Sequence, residues 1–178
     1  MIDFFYSDPH FGHKNIIAYT GRPYRSVHEM NVDLCERYRA AVGESDAVLW
    51  LGDCSFQKAE VFAGVLASLP GKKLLVRGNH DRSAAKMASL GFDLVMEECI
   101  THIAGRVCRV SHYPYFDPGK PDLRHPDRRP RRQKGEVLIH GHTHSRRQRD
   151  GSMIHVGVDA WGYGPAAYAD VERLVGAV

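Results

Sequence analysis

Asp8, His10 and His13 in "SDPHFGH" (7–13) follow directly on the apolar run Ile2-Asp3-Phe4-Phe5-Tyr6. Carboxylates and imidazoles are costly to bury unpaired, and taken alone the stretch reads equally as a polar turn leaving a strand. Four further segments repeat the pattern, ending an apolar run with Asp, Asn or His: "LGD" (51–53), "RGNHD" (77–81), "SHYP" (111–114) and "HGHTH" (140–144). Strand ends converge on one edge of an α/β sheet, where open sheets place their ligand sites. One such turn is a coincidence; five are a site. Asp8, His10, Asp53, Asn79, His112, His142 and His144 offer carboxylate, imidazole and amide oxygen without a thiolate cage, which suits Mn, Fe or Zn. Seven donors exceed what one tetrahedral ion needs and suffice for two adjacent ions, which a carboxylate can bridge.

These turns need elements to hold them. Residues 2–7, 46–53 and 72–81 read as buried strands running into polar turns. Between them, Ser26 with Glu29 forms a capping-box start ahead of Val27, Met30, Leu34, Tyr38 and Ala41 at helical spacing. Residues 57–69 repeat that spacing, and a short helix is predicted over 83–90, ended by Gly91. Residues 98–111 read as a hairpin about Ala104-Gly105. Strands are expected at 136–140 and 153–158, a long Pro- and Arg-rich loop at 114–134, and a helix from Ala169. Alternating strands and helices followed by a strand-rich half indicate an α/β chain with a two-sided sheet core.

Composition agrees: 178 residues suit one domain (1–178), with 43% apolar and 25% charged residues. No run approaches the roughly 20 apolar residues of a membrane helix. The start lacks a signal-peptide pattern, and Cys35, Cys54, Cys99 and Cys108 are scattered, so a reduced, cytoplasmic setting without membrane contact is expected. Net charge is +3, but Lys120 to Arg149 holds ten Lys or Arg against three Asp or Glu, an excess of +7. That stretch is a solvated loop or a surface for an anionic partner, nucleic acid included.

The motifs "YSDPHFGHKNII", "LGDCS", "RGNHD", "SHYP" and "HGHTHS", in that order from 6 to 145, resemble the calcineurin-like metallophosphoesterases, most of all small bacterial and phage members without a cap domain. The resemblance implies a four-layer α/β/β/α sandwich. It also implies that Asp8, His10, Asp53 and His144 hold one metal, and that Asp53, Asn79, His112 and His142 hold a second, with Asp53 bridging. His80 becomes the acid for the leaving oxygen, Asp81 its orienting partner, and Arg77 a phosphate contact. The family's usual polar residues after Gly-Asp are replaced by Cys54, Ser55 and Phe56, which leaves substrate contacts there open.

Two divalent ions (Mn foremost; Fe, Zn or Ni otherwise) about 3.5–4 Å apart would neutralise a phosphodiester and bring the pKa of a shared water toward about 7. The expected activity is hydrolysis of small nucleotide diesters, 2′,3′-cyclic nucleotides included, by a metal-bridging hydroxide with His80 as acid. Phosphomonoesterase, nucleotide pyrophosphatase, nuclease and an idle metal-binding scaffold are the alternatives. His13 reads evenly as substrate-side, ligand-supporting or a helix cap. His140 reads as packing or ligand support, and His28, His102, His125 and His155 as ordinary histidines. Asp159 and Trp161 in "VGVDAWG" either close the rim, orient a ligand histidine or pack. Arg128, Arg129, Arg131 and Arg132 are candidates for steering a phosphate.

Overall fold

Alternate residues of each early strand feed different cores. In the computed structural model, which describes residues 1–117, 119 and 125–178, β1 (Phe4–Tyr6), β2 (Ala47–Trp50), β3 (Lys72–Val76) and β4 (Leu94–Met96) are parallel neighbours in that order. Tyr6, Val48, Trp50 and Leu75 point to one core, and Phe5, Leu49, Leu51 and Val76 to the other. Burial on both faces is why these strands read as continuous apolar runs. The parts of the 114–134 loop and of the basic 120–149 stretch at 118 and 120–124 lie outside the described residues.

The first core lies under helices. α2 (Val27–Ala41) buries Met30, Leu34 and Tyr38, α3 (Ala59–Ser68) buries Phe62 and Leu66, α4 (Ala84–Leu90) buries Met87 and Leu90, and short α1 (Ile16–Thr20) adds Ile16. Each large side chain so buried contributes about 1.5–3 kcal/mol. Val61, in the same helix as Phe62, is exposed. Ser26 caps α2 by accepting from the Glu29 N–H (3.1 Å), but the Glu29 carboxylate accepts from the Arg25 N–H (2.8 Å), one residue short of the reciprocal bond of a capping box.

The second sheet runs β5 (Glu98–Ile103), β6 (Arg106–Ser111), β7 (Val137–His140), β9 (Met153–His155), β8 (Arg149–Asp150). β5 and β6 form the expected hairpin, with Ala104 (φ 49°) and Gly105 (φ 71°) both left-handed, as a two-residue turn of this kind requires. Cys108, Val110, Val137, Ile139 and Ile154 meet the inner face of the first sheet, and α5 (Tyr168–Gly176) adds Val171 and Val175 to that core. β10 (Ala166–Ala167) returns the chain antiparallel to β1.

The result is the mixed α/β fold of two facing sheets with helices that the sequence predicted. Three strands carried no periodic signal: β4 is only half-buried, β8 is a polar edge and β10 has two residues. The strand expected over 153–158 stops at His155, and the chain turns into a 3₁₀ segment at Val158–Ala160. Among the described residues no helix is long and apolar enough to cross a membrane.

Candidate metal centre

The turns after β1, β2, β3, β6 and β7 meet at one edge. Five residues in them hold left-handed backbone: Asp8 (φ 58°), His10 (52°), Asp53 (52°), His142 (67°) and His144 (51°). Only a few per cent of non-glycine residues do this, at about 1–3 kcal/mol each, and they persist where the surroundings fix them. Here the loops fix one another. The N–H groups of Asp8, His10 and Phe11 donate to Gly52, Asp53 and Cys54 carbonyls at 3.0–3.2 Å. The Asp8 carboxylate accepts from the His142 N–H at 2.9 Å and lies 2.8 Å from Ser7 Oγ. Gly52 and Gly78 pack back to back beside the His112 ring, so a methyl on either would collide with the opposite loop.

Two groups of side chains emerge. Ligand atoms of Asp8, His10 and His144 lie within 4.8 Å of one another, as do those of Asp53, His112 and His142. Asp53 stands between them, with Oδ2 3.6 Å from His10 Nε2 and Oδ1 3.5 Å from His112 Nε2. Asn79 Oδ1 completes the second group, 3.2 Å from His112 Nε2.

Hydrogen bonds orient the rings and leave nitrogens turned toward the two groups. His112 Nδ1 lies 2.6 Å from the Leu51 carbonyl, which can only accept, so Nδ1 carries a proton and Nε2 is turned toward the Asn79 and Asp53 oxygens. His144 gives Nδ1 to Asp159 Oδ2 at 3.0 Å, which leaves Nε2 for the first group. Burial opposes the charged form of His144, yet Asp159 and Asp8 outweigh it and raise its pKa. His10 is buried with neither ring nitrogen hydrogen-bonded. Burial first, then His144, Arg22 and neighbouring histidines, hold its pKa well below the usual range, so it is a neutral imidazole. Burial also raises the Asp8 pKa, against His144 and His112. Orphaned imidazole nitrogens beside buried carboxylates are what positive ions would satisfy.

Arg22, which carried no signal in sequence, ties this edge together. Almost fully buried, it meets Asp159 through Nε and Nη2, each at 2.9 Å, and donates to the Asp8 (2.8 Å) and Pro9 (2.9 Å) carbonyls. Burial alone would raise the Asp159 pKa, but the His144 and Arg22 bonds prevail and bring it down to about 2. Asp159 therefore orients a candidate ligand, as one reading of "VGVDAWG" held. Trp161 donates Nε1–H to the His155 carbonyl (2.8 Å) and joins the inter-sheet core.

The remaining candidate residues sit around this centre. The Asp81 carboxylate, expected to orient His80, accepts from the N–H groups of Asp53 (3.1 Å), Cys54 (3.0 Å) and Gly78 (2.8 Å) and so braces the Asp53 turn. Arg77, expected to contact phosphate, pairs here with Glu97 (2.6 Å) and donates to the Arg82 carbonyl (2.7 Å). The His80 side chain is 45% exposed, with Nε2 3.9 Å from Asp53 Oδ2. The His13 side chain does not cap a helix; its ring stacks on Phe56. Cys54 is buried in the first core, where burial and then Asp81 push its thiol pKa well up. Arg131 and Arg132 lie over Phe116 and Tyr115, whereas Arg128 donates to Tyr113 Oη (3.3 Å), whose ring is 5.2 Å from His142. His125, read as ordinary, comes within 6.5 Å of the His142 ring.

His140 and His155 lie behind the site, both buried, with rings 5.3 Å apart. Burial brings the His140 pKa to about 4; burial and then His140 bring that of His155 to about 3. A depressed histidine keeps its full stability above the unfolded-state value near 6.5 and loses it as pH falls, at roughly 1.4 kcal/mol per unit. Urea denaturation of the metal-free protein is therefore expected to show stability falling between pH 6.5 and 4, and His155→Gln to flatten that slope. A slope unchanged by the substitution would exclude His155 as a source.

Known proteins resemble this chain over most of its length. Residues 6–158 match the family model of the calcineurin-like phosphoesterase superfamily domain. The Gene 66 protein of Mycobacterium phage L5 is 35% identical over 182 residues, covering 89% of this chain and 86% of that protein. Its namesake in Mycobacterium phage D29 is 34% identical over 179 residues, covering 88% and 87%. A solved structure of AQ665 from Aquifex aeolicus, a protein of unknown function, superimposes with a TM-score of 0.75 at 26% identity, covering 96% of this chain and 97% of that one. By its matched domain and its phage relatives, this chain belongs to the calcineurin-like phosphoesterase superfamily.

Proposed function

We propose that this chain hydrolyses phosphodiesters of small nucleotides, 2′,3′-cyclic nucleotides among them, with two divalent ions, Mn foremost. Asp8, His10, Asp53 and His144 would hold one ion, and Asp53, Asn79, His112 and His142 the other. The observation that carries the reading is Asp53, whose two oxygens face the two groups at 3.6 and 3.5 Å. When bound, a metal pair supplies charge neutralisation at the phosphate and a water acidic enough to act near pH 7.

The chain's own residues do the rest. Asp81 holds the Asp53 turn by three backbone bonds, so the carboxylate is fixed before substrate arrives. The His80 N–H donates to Asp53 Oδ1 at 2.9 Å, which sets the half-exposed imidazole beside the site, open to a substrate. From there its protonated ring can deliver a proton to the departing alkoxide oxygen. The four cysteines are free thiols, which suits a cytoplasmic setting.

His80→Ala tests the acid role. With Mn, turnover of a 2′,3′-cyclic nucleotide should fall about 10²-fold or more, while bis-p-nitrophenyl phosphate, whose leaving group needs no proton, should lose under about tenfold. Equal losses would remove the role from His80. Wild-type turnover of p-nitrophenyl phosphate far above that of the diester would overturn the diesterase assignment.

A further inference from the structure

The residues after the Gly-Asp turn place an aromatic ring in water beside the site. Phe56 is 43% exposed, and among the exposed large apolar residues its ring is the one that contacts a candidate metal ligand. It stacks nearly parallel on His13, with centroids 4.0 Å apart and planes at 21°. It also lies 4.7 Å from the His80 ring and 5.5 Å from the His10 ring. Tyr19, exposed as well, meets His13 edge-on at 6.1 Å.

This ring is held in place. The Phe56 N–H donates to the Phe11 carbonyl at 2.8 Å, Ser55 Oγ donates to the same carbonyl at 3.1 Å, and Phe11 and Ser55 form a parallel bridge. Beside these ring contacts, 43% of the Phe56 surface still faces water. A flat ligand laid over it would bury the exposed surface, and every nucleobase has a face that stacks on an aromatic ring. A phosphate at the metal ligands would bring the base of the same nucleotide toward this ring, whose centroid lies 5.5 Å from that of His10.

We propose that Phe56, backed by His13, is a stacking shelf for the base of a nucleotide whose phosphate lies at the Asp8–Asp53–His112 centre. The inference rests on the nucleotide phosphoesterase reading above and deepens it by naming the side chains that hold the base. The shelf confers affinity for the base without selecting among bases, because stacking does not read hydrogen-bonding edges.

Calorimetric titration of the Mn-loaded protein with adenosine 5′-monophosphate and with ribose 5-phosphate isolates the base. Wild type should bind the former about tenfold or more tightly. Phe56→Ala should erase the difference by weakening the nucleotide alone, and Phe56→Trp should keep it. The shelf is excluded if wild type binds the two ligands equally or binds neither, or if Phe56→Ala weakens both alike, the mark of a packing role. Turnover of bis-p-nitrophenyl phosphate by wild type, measured alongside, reports separately on the phosphoesterase reading. Its absence would sink that reading while the binding comparison still decides the shelf.

Discussion

Asp53→Asn is expected to lower phosphodiester turnover by about 10³-fold or more and to cut bound Mn from two ions per chain to one. The substitution keeps the shape of the side chain and an acceptor for the His80 N–H, which now meets Oδ1 at 2.9 Å. It replaces one of the two oxygens that face His10 and His112 with an amide nitrogen, which binds no cation, and it removes a negative charge. Loss of one metal's charge stabilisation is worth several kcal/mol in the transition state, and about 4 kcal/mol corresponds to 10³ in rate. Metal content by mass spectrometry and steady-state kinetics check both halves. Two retained ions with activity within tenfold of wild type would deny Asp53 a bridging place.

Arg22→Met should be the most damaging change away from the metal donors. It leaves Asp159 buried beside His144 alone and strips two donors from the Asp8 and Pro9 carbonyls. Breaking a buried pair by removing one partner costs about 3–5 kcal/mol, because a charge stays behind uncompensated. Misplacing the residue that orients a ligand histidine should also weaken Mn at the Asp8 group by about 10–100-fold. Arg22→Lys should recover part of the stability but little of the affinity, since an ammonium lacks the planar fork that meets Asp159 through two nitrogens. Because the Asp159 pKa is depressed to about 2, this stabilisation is present above roughly pH 4 and lost as pH falls through 2. Denaturation at pH 7 with equal midpoints for wild type and Arg22→Met would contradict the assignment.

The site was more legible in sequence than its supports. All seven donors belong to strand-to-loop turns, and a strand followed by glycine and a polar residue leaves the same trace each time. Arg22 and Asp81 show where such reading stops. Arg22 lies in "TGRPYR", a stretch with no periodicity, and meets Asp159 across 137 positions of sequence. The family resemblance implied that Asp81 partners the His80 side chain. The Asp81 oxygens instead take backbone N–H groups from two turns, a pairing that depends on Gly52 and Gly78 packing in space. His155 was passed over because burial of a histidine at a strand's end cannot be told from exposure by its neighbours' polarity alone. The fold was legible where both strand faces are apolar, as in β1 to β3, and illegible where strands are two or three residues long at an edge.

Anomalous diffraction from crystals grown with Mn tests the central claim most directly. The account predicts two peaks about 3.5–4 Å apart, one among Asp8, His10 and His144, the other among Asn79, His112 and His142, with one Asp53 oxygen on each. A single peak, or two peaks that Asp53 does not join, would contradict it.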